Sequence, residues 1–252
     1  MITETWLGET NFDFVFNQSK GLVPRATAID IHSNDHYILN SIVFSSHIGL
    51  HMGGAANMIS GLHVWFPENR ALQFGCNAFL DTGSKNRYDG CYVDGSIAVF
   101  VEPNEITWLD GFTLGGKGIQ LQGATAVNSV FKNTIGRLFT ADPNMTATNV
   151  VIENNPSAIV ASRASKSVHS ATPTTEYVFD FCDVLVFDKV QSVRHSFAAA
   201  AAGRPTAFPT LVAGAPQPCK GAPTMLKVVT VYLSVAAAGT VTVDVDSSVQ
   251  TL

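Results

Sequence analysis

The feature that most restricts what this chain can fold into is a repeat of short alternating segments separated by polar turns, from about Ala28 to Ser162. One strand type reads Ile29-Asp-Ile31, Ile48-Gly-Leu50-His-Met52, Leu72-Gln-Phe74, Ile97-Ala-Val99-Phe-Val101 and Ile119-Gln-Leu121, with weaker versions at Leu138 and Ile159. Each alternates with period two, which marks one buried and one exposed face. A second strand type follows each of these and opens on a polar residue: Asn40, Ser60, Asp89, Asp110, Asn128 and Asn149. Two positions on comes an apolar residue expected to point inward: Ile42, Leu62, Cys91, Phe112, Val130 and Val151.

The repeats lie roughly 18 to 29 residues apart, a spread that loops of unequal length would produce around a constant cross-section. A polar residue recurring at one corner has a physical use. Stacked side chains there hydrogen-bond one another and the turn amides, satisfying groups that burial would otherwise orphan. An antiparallel sandwich offers no reason for such a row. The pattern predicts an all-β chain, a right-handed parallel β-helix over residues 1–168.

Beyond Val168 the pattern changes, and residues 169–252 read as a small antiparallel β module packed on the helix end, where it would shield an open sheet edge. Glu176 to Phe187 alternates strongly, and a Gly/Ala/Pro-rich stretch runs to Pro223. Leu226 to Val235 and Thr240 to Val245 flank Ala-Ala-Ala-Gly, which predicts a hairpin. The alanine run Ala198 to Ala202, bracketed by Phe197 and Gly203-Arg-Pro205, reads as a loop. Helical stripes are absent, and β-branched residues with Gly and Asn dominate.

Composition narrows the function classes. The 252 residues are 46% hydrophobic and 14% charged, enough apolar mass for a sizeable core. A net charge of −5 supplies no basic surplus for a nucleic-acid backbone. No run reaches about 18 apolar residues, so no membrane span is expected. Cys76, Cys91, Cys182 and Cys219 are scattered without a Cys-x-x-Cys, so no zinc site and no cofactor are expected, while disulfides and buried thiols both stay open. The sequons at Asn17 and Asn144 would suit a secreted protein.

Stacking the coils gathers two rows of chemically useful residues. The first lies in the turn before the first strand type: His47, Glu68 with Arg70, Asp94, and Lys117, set just ahead of Ile48, Leu72, Ile97 and Ile119. Neighbouring coils lie about 4.8 Å apart. Carboxylates on successive or alternate coils therefore approach the spacing of about 5 Å for retaining, or about 6.5–9.5 Å for inverting, glycoside hydrolysis. Arg70 and Lys117 would hold uronate carboxylates while Asp94 and Glu68 do acid/base work. The plainer reading is a solvated charged turn. The second row lies on the outward face of the first strand type: Asp30, His32, His51, Gln73, Phe100, Glu102, Gln120 and Gln122, residue types that suit sugar hydroxyls and ring faces. An exposed sheet face is also polar by default. Asp89 and Asp110 match the corner row, so they read as turn residues rather than a catalytic pair.

Several stretches resemble the quartet-type plant polygalacturonases of the pectin-lyase-like superfamily. They are Ala28-Ile-Asp-Ile-His-Ser-Asn-Asp35, Ala56-Asn-Met-Ile-Ser-Gly-Leu-His63, Asp89-Gly-Cys-Tyr-Val-Asp94, Val101-Glu-Pro103, Gly111-Phe-Thr-Leu-Gly115 and Asp180-Phe-Cys-Asp-Val-Leu-Val-Phe187. The resemblance implies a parallel β-helix. It also implies a secretory leader and earlier coils ahead of Met1, so the chain reads as N-terminally truncated and its location as extracellular or cell wall. Asn-Thr-Asp, Gly-x-Asp-Asp, Gly-His-Gly and Arg-x-Lys, the motifs of ordinary endopolygalacturonases, do not occur. In those enzymes the catalytic aspartates immediately precede a first-type strand, and Asp94-Gly-Ser-Ile97 is placed similarly. The function expected is a polygalacturonase-like glycoside hydrolase acting on a pectin-like polyuronide. Asp94 and Glu68 would be catalytic, with His47, Arg70, Lys117, His32, His51 and Glu102 binding substrate. A non-catalytic carbohydrate-binding solenoid is the alternative, and a polysaccharide lyase is third, since one scaffold hosts several chemistries.

Overall fold

A computed structural model describes residues 2–3, 6–8, 27–44, 46–66, 75–136, 139–153, 161–200 and 209–248. The chain divides into two compact units, residues 1–160 and 161–252. Among the described residues every regular element is a β-strand.

The first unit is a parallel β-solenoid with three long sheets, as the repeat predicts. Sheet 1 stacks Thr27–Ile31, Ile48–Met52, Asn77–Asp81, Ile97–Val101, Gly118–Gln122 and Phe139–Ala141 in parallel. Sheet 2 contains Tyr37–Leu39, Met58–Ser60, Arg87–Asp89, Thr107–Leu109, Val130–Lys132 and Val151–Glu153. Sheet 3 contains Ile42–Phe44, His63–Trp65, Tyr92–Asp94, Phe112–Leu114 and Ile135–Gly136. Each coil crosses the three sheets in that order. Inward residues of sheets 1 and 2 fill the interior with rings: Phe79, Tyr88, Phe100, Trp108 and Phe131 are all buried and meet edge to face or tilted, with centroids 5.3 to 5.8 Å apart. Those distances lie in the favourable range for aromatic pairs.

The corners on either side of sheet 2 explain the recurring polar residues. Asn40, Gly61, Gly90, Asp110 and Asn133 each follow a strand of sheet 2, and all have positive φ. Asp35, Ala56, Lys85, Glu105, Asn128 and Asn149 precede those strands, also with positive φ. A left-handed backbone costs least for Gly, Asn and Asp, so those types accumulate there. Apart from Asp35 and Asn149, the amide N–H at each position donates to a carbonyl of the next coil, as Gly61 does to Asp89 at 2.9 Å and Gly90 to Leu109 at 3.0 Å. The single polar row expected from sequence is therefore two rows. Asn40 and Asp110 belong to one, Asn128 and Asn149 to the other, and Ser60 and Asp89 sit one residue ahead of Gly61 and Gly90. Inside the corner leading into sheet 2, buried Asn57 and Asn86 form a ladder: Asn86 Oδ1 accepts from the Asn57 N–H at 3.0 Å, and Asn57 Oδ1 from the His36 N–H at 2.9 Å.

Three expectations about strand positions are corrected. The strand pairing with Ile48–Met52 is Asn77–Asp81, whereas Leu72-Gln-Phe74 lies outside the described residues, as do Leu138 and Ile159. Phe100 points inward and is fully buried, not outward. Val130 and Val151 belong to sheet 2, and in sheet 3 it is Val43 and Thr113, not Ile42 and Phe112, that are buried.

The second unit is an antiparallel sheet. Its centre is one strand, Ala222–Asp246, flanked by Arg163–Asp180 and Ser192–Ala199, with Leu211–Ala213 and Gln217–Cys219 also paired to it. The hairpin expected at Ala236 to Gly239 does not form. Gly239 pairs with Ser170 on one side and Ala199 on the other, so the small residues are carried through the sheet rather than turned. Ala198 and Ala199 likewise end a strand instead of opening a loop. Tyr177, Phe179, Val229, Val231, Val241 and Val243 bury one face. Cys182 and Cys219 form a disulfide, while Cys76 and Cys91 are buried free thiols.

Candidate functional site

Sheet 1 strands end in turns that lead to sheet 2, and these turns line a cleft of about 470 Å³. Its walls come from successive coils: His32 and Asn34, then Gly53 to Ala55, then Thr82 to Ser84, then Glu102 and Asn104. The lining is polar because the positions just past each strand face solvent while the backbone turns the corner. Asn34 Oδ1 accepts the Ala55 N–H at 2.8 Å, fixing one wall. Glu102 is exposed with φ of 46°, and its N–H donates to the Gln122 carbonyl at 2.7 Å.

At the edge of this cleft Asp30 and His51 stand side by side, because their strands pair in register. Asp30 Oδ1 lies 2.8 Å from His51 Nδ1 and 2.9 Å from His32 Nε2. Slight burial pushes the Asp30 carboxyl upward, but hydrogen bonds from His51 and His32 and their charge outweigh it and hold the pKa below the usual carboxylate value. His51 Nε2 in turn lies 3.3 Å from Thr82 Oγ1. Of the residues expected to bind substrate, His32, His51 and Glu102 thus lie on one edge of sheet 1.

The other expected row is at the opposite edge, in the turns entering sheet 1. There the coils stack His47 on Cys76, Cys76 on Ser96 and Ser96 on Lys117. Asn77 N–H donates to the His47 carbonyl, Ser96 Oγ to the Cys76 carbonyl at 2.7 Å, and Lys117 N–H to the Ser96 carbonyl at 3.0 Å. His47 Nδ1 also lies 3.7 Å from Cys76 Sγ. Asp94 is two residues ahead of Ser96, on the last position of its sheet 3 strand, with Trp65 and Leu114 as its register neighbours. The structure brings His47 and Lys117 into one turn row and puts Asp94 beside it on the outer face of sheet 3. Glu68 and Arg70 lie outside the described residues. That outer face is aromatic: the His63 ring stacks on Tyr92 with centroids 4.2 Å apart, and Tyr92 meets Phe112 edge-on. Burial, then the neighbouring Asp94 charge, raises the Tyr92 pKa, and burial lowers that of His63.

No protein-family model matches the chain. Polygalacturonase QRT3 of Arabidopsis thaliana is 27% identical over 195 residues, covering 70% of this chain and 40% of that protein. The chain is homologous to that plant polygalacturonase. It spans about two fifths of its homologue's length. Among solved structures, the tailspike gp61 of Pseudomonas phage phi297 aligns with 90% of this chain and 60% of its own at 13% identity and a TM-score of 0.29. The resemblance to quartet-type polygalacturonases expected from the sequence is met by this similarity over 70% of the chain.

One buried group escaped the sequence reading. Asp81 occupies an inward position of sheet 1, in register with Met52 and Phe100, and is 1% exposed. Tyr88 Oη and the Gly83 N–H each donate to it at 2.7 Å, and Asn86 Nδ2 at 3.1 Å. Burial raises its pKa against those hydrogen bonds. The signal was a carboxylate at an apolar position of an alternating strand, visible only once Asn77–Asp81 is aligned with Ile48–Met52.

Proposed function

We propose that the chain is a polysaccharide-active protein, a polygalacturonase-like hydrolase that acts on a pectin-like polyuronide outside the cell. The observation that carries this reading is the similarity to a plant polygalacturonase over 70% of the chain. The polar cleft along successive coils supports it, since a row of Asn, Thr, Ser and Glu side chains suits the hydroxyls of an extended sugar chain. In this reading His32, His51 and Glu102 contact the glycan at one edge of sheet 1. Asp94 is the proposed acid/base residue at the other edge with Glu68 as its partner carboxylate, and His47, Arg70 and Lys117 bind uronate groups.

A non-catalytic carbohydrate-binding solenoid is the second reading. It is favoured by one observation: the register neighbours of Asp94 are Trp65 and Leu114, so among the described residues no carboxylate is paired with it in sheet 3. Reducing-end release from polygalacturonate separates the two. The hydrolase reading expects release that falls at least about a hundredfold in Asp94→Asn, the scale of general acid/base catalysis. Binding without release supports the second reading, and release unchanged in Asp94→Asn removes Asp94 from the mechanism.

A further inference from the structure

Two histidines and a carboxylate meet at the rim of the cleft, and each histidine also meets a neighbour other than the carboxylate. His51 comes from the middle of a sheet 1 strand, so its Cα is fixed by ladder bonds on both sides. Its Nδ1 faces Asp30, and its far nitrogen Nε2 is met by Thr82 Oγ1 from the next coil. His32 presents Nε2 to the same Asp30 oxygen. The other side of its ring lies over Gly53, where a Cβ would fall 2.7 Å from His32 Nδ1. Only a residue without a side chain leaves room for the ring there. The three ligand atoms all lie within 4.8 Å of one another.

We propose that Asp30, His32 and His51 form a binding site for one divalent transition-metal cation of the zinc class. Imidazole nitrogen and carboxylate oxygen are the ligands such ions take, at about 2.0–2.2 Å, which sets neighbouring ligand atoms about 3.3 Å apart around a tetrahedral ion. The present contacts of 2.8 and 2.9 Å need to open by only about half an ångström to admit it. Metal-bound His51 would coordinate through Nδ1 and donate Nε2–H to Thr82 Oγ1, the outer contact that fixes ring orientation at metal sites. Three protein ligands leave a further position open on the exposed side. Magnesium and calcium prefer all-oxygen shells, so they fit this donor set poorly. The absence of a Cys-x-x-Cys motif does not bear on the site, because the solenoid gathers its ligands from strands one coil apart. The site stands independently of the polyuronide reading.

Zinc chloride titrated calorimetrically into chelator-stripped full-length chain tests this directly. The expected result is one equivalent bound, no displacement by magnesium or calcium, and a cobalt(II) visible spectrum carrying nitrogen-ligand character. His51→Ala and Asp30→Asn should abolish uptake. The Asp30 and His32 side chains are 49% and 64% exposed, so Asp30→Asn and His32→Ala should keep the wild-type melting profile. Gly53→Ala, which touches no ligand atom of the ion, should weaken binding at least about tenfold by displacing the His32 ring. No zinc uptake by the folded wild type, or one-equivalent uptake that survives His51→Ala and Asp30→Asn, would overturn the assignment.

Discussion

In the solenoid, strands of two to five residues lie beside strands of neighbouring coils, whereas in residues 161–248 strands of 18 and 25 residues pair antiparallel. The contrast decides where chemistry can collect. Partners in the solenoid lie one coil apart, as with the 20 residues between Tyr88 and Trp108 or the 36 between Trp6 and Ile42, and the coils repeat the same few positions, so one side-chain type can recur down a row. The antiparallel unit instead joins segments far apart in sequence, as in the Arg163–Asp246 ion pair at 2.8 Å across 83 residues, and gains a covalent clasp between Cys182 and Cys219. Both candidate edges belong to the solenoid, and the second unit spends its length on one buried face.

The largest break in this comparison should come from the ring stack. Trp108→Ala removes a fully buried side chain packed against Phe79, Tyr88 and Phe100, and should cost about 3–5 kcal/mol in urea unfolding of the solenoid. Trp108→Phe should cost much less, because Trp108 Nε1 is buried with no hydrogen-bond partner to lose. In the antiparallel unit the comparable change is Cys182→Ser with Cys219→Ser. Opening a loop of 37 residues should lower stability by about 2–4 kcal/mol, read as an earlier denaturation of that unit.

Asp81 gives a smaller, pH-dependent effect. Its pKa is raised in the fold, so the stability it contributes is complete below its unfolded value near about 3.9 and is lost as pH rises through the folded value. Asp81→Asn should therefore cost about 1–3 kcal/mol in acid, and the deficit should shrink as pH rises, measured as paired urea midpoints across that window. The smallest effect is expected at a corner. Gly90 has φ of 59° with open space around its Cβ position, so Gly90→Ala should cost about 1 kcal/mol from backbone strain alone, and Gly90→Asn less.

Which parts of this were legible in the sequence follows from the same contrast. Period-two alternation announced both the parallel repeat and the strong strands of the second unit. The register between coils was less visible. Leu72-Gln-Phe74 has the alternation of a first-type strand, and aligning it with Ile48–Met52 hides the partner Asn77–Asp81 and with it the buried Asp81. The corner residues were recognised as polar, but left-handed backbone on both sides of sheet 2 selects the same residue types, so two rows read as one. Ala-Ala-Ala-Gly looked like a turn because small residues favour turns, yet pairing on both sides holds it extended. Asp30, His32 and His51 were each legible as outward residues. That they touch depends on the Asp30–His51 register, which no local pattern states.

Parallel stacking of successive coils in register is the central claim, and a cysteine cross-link in sheet 2 measures it. The background is quiet, since Cys182 and Cys219 are paired, and burial pushes the Cys76 and Cys91 thiols up to about 11 and about 12. Arg87 and Thr107 are Cα partners in neighbouring coils on positions that are not buried. Strands so paired are about 4.8 Å apart, within the reach of a disulfide. Oxidised Arg87→Cys/Thr107→Cys should cross-link rapidly, and Arg87→Cys/Leu109→Cys, displaced by two residues, should not. Cross-linking of the displaced pair in preference to the aligned one would contradict the stacked coils.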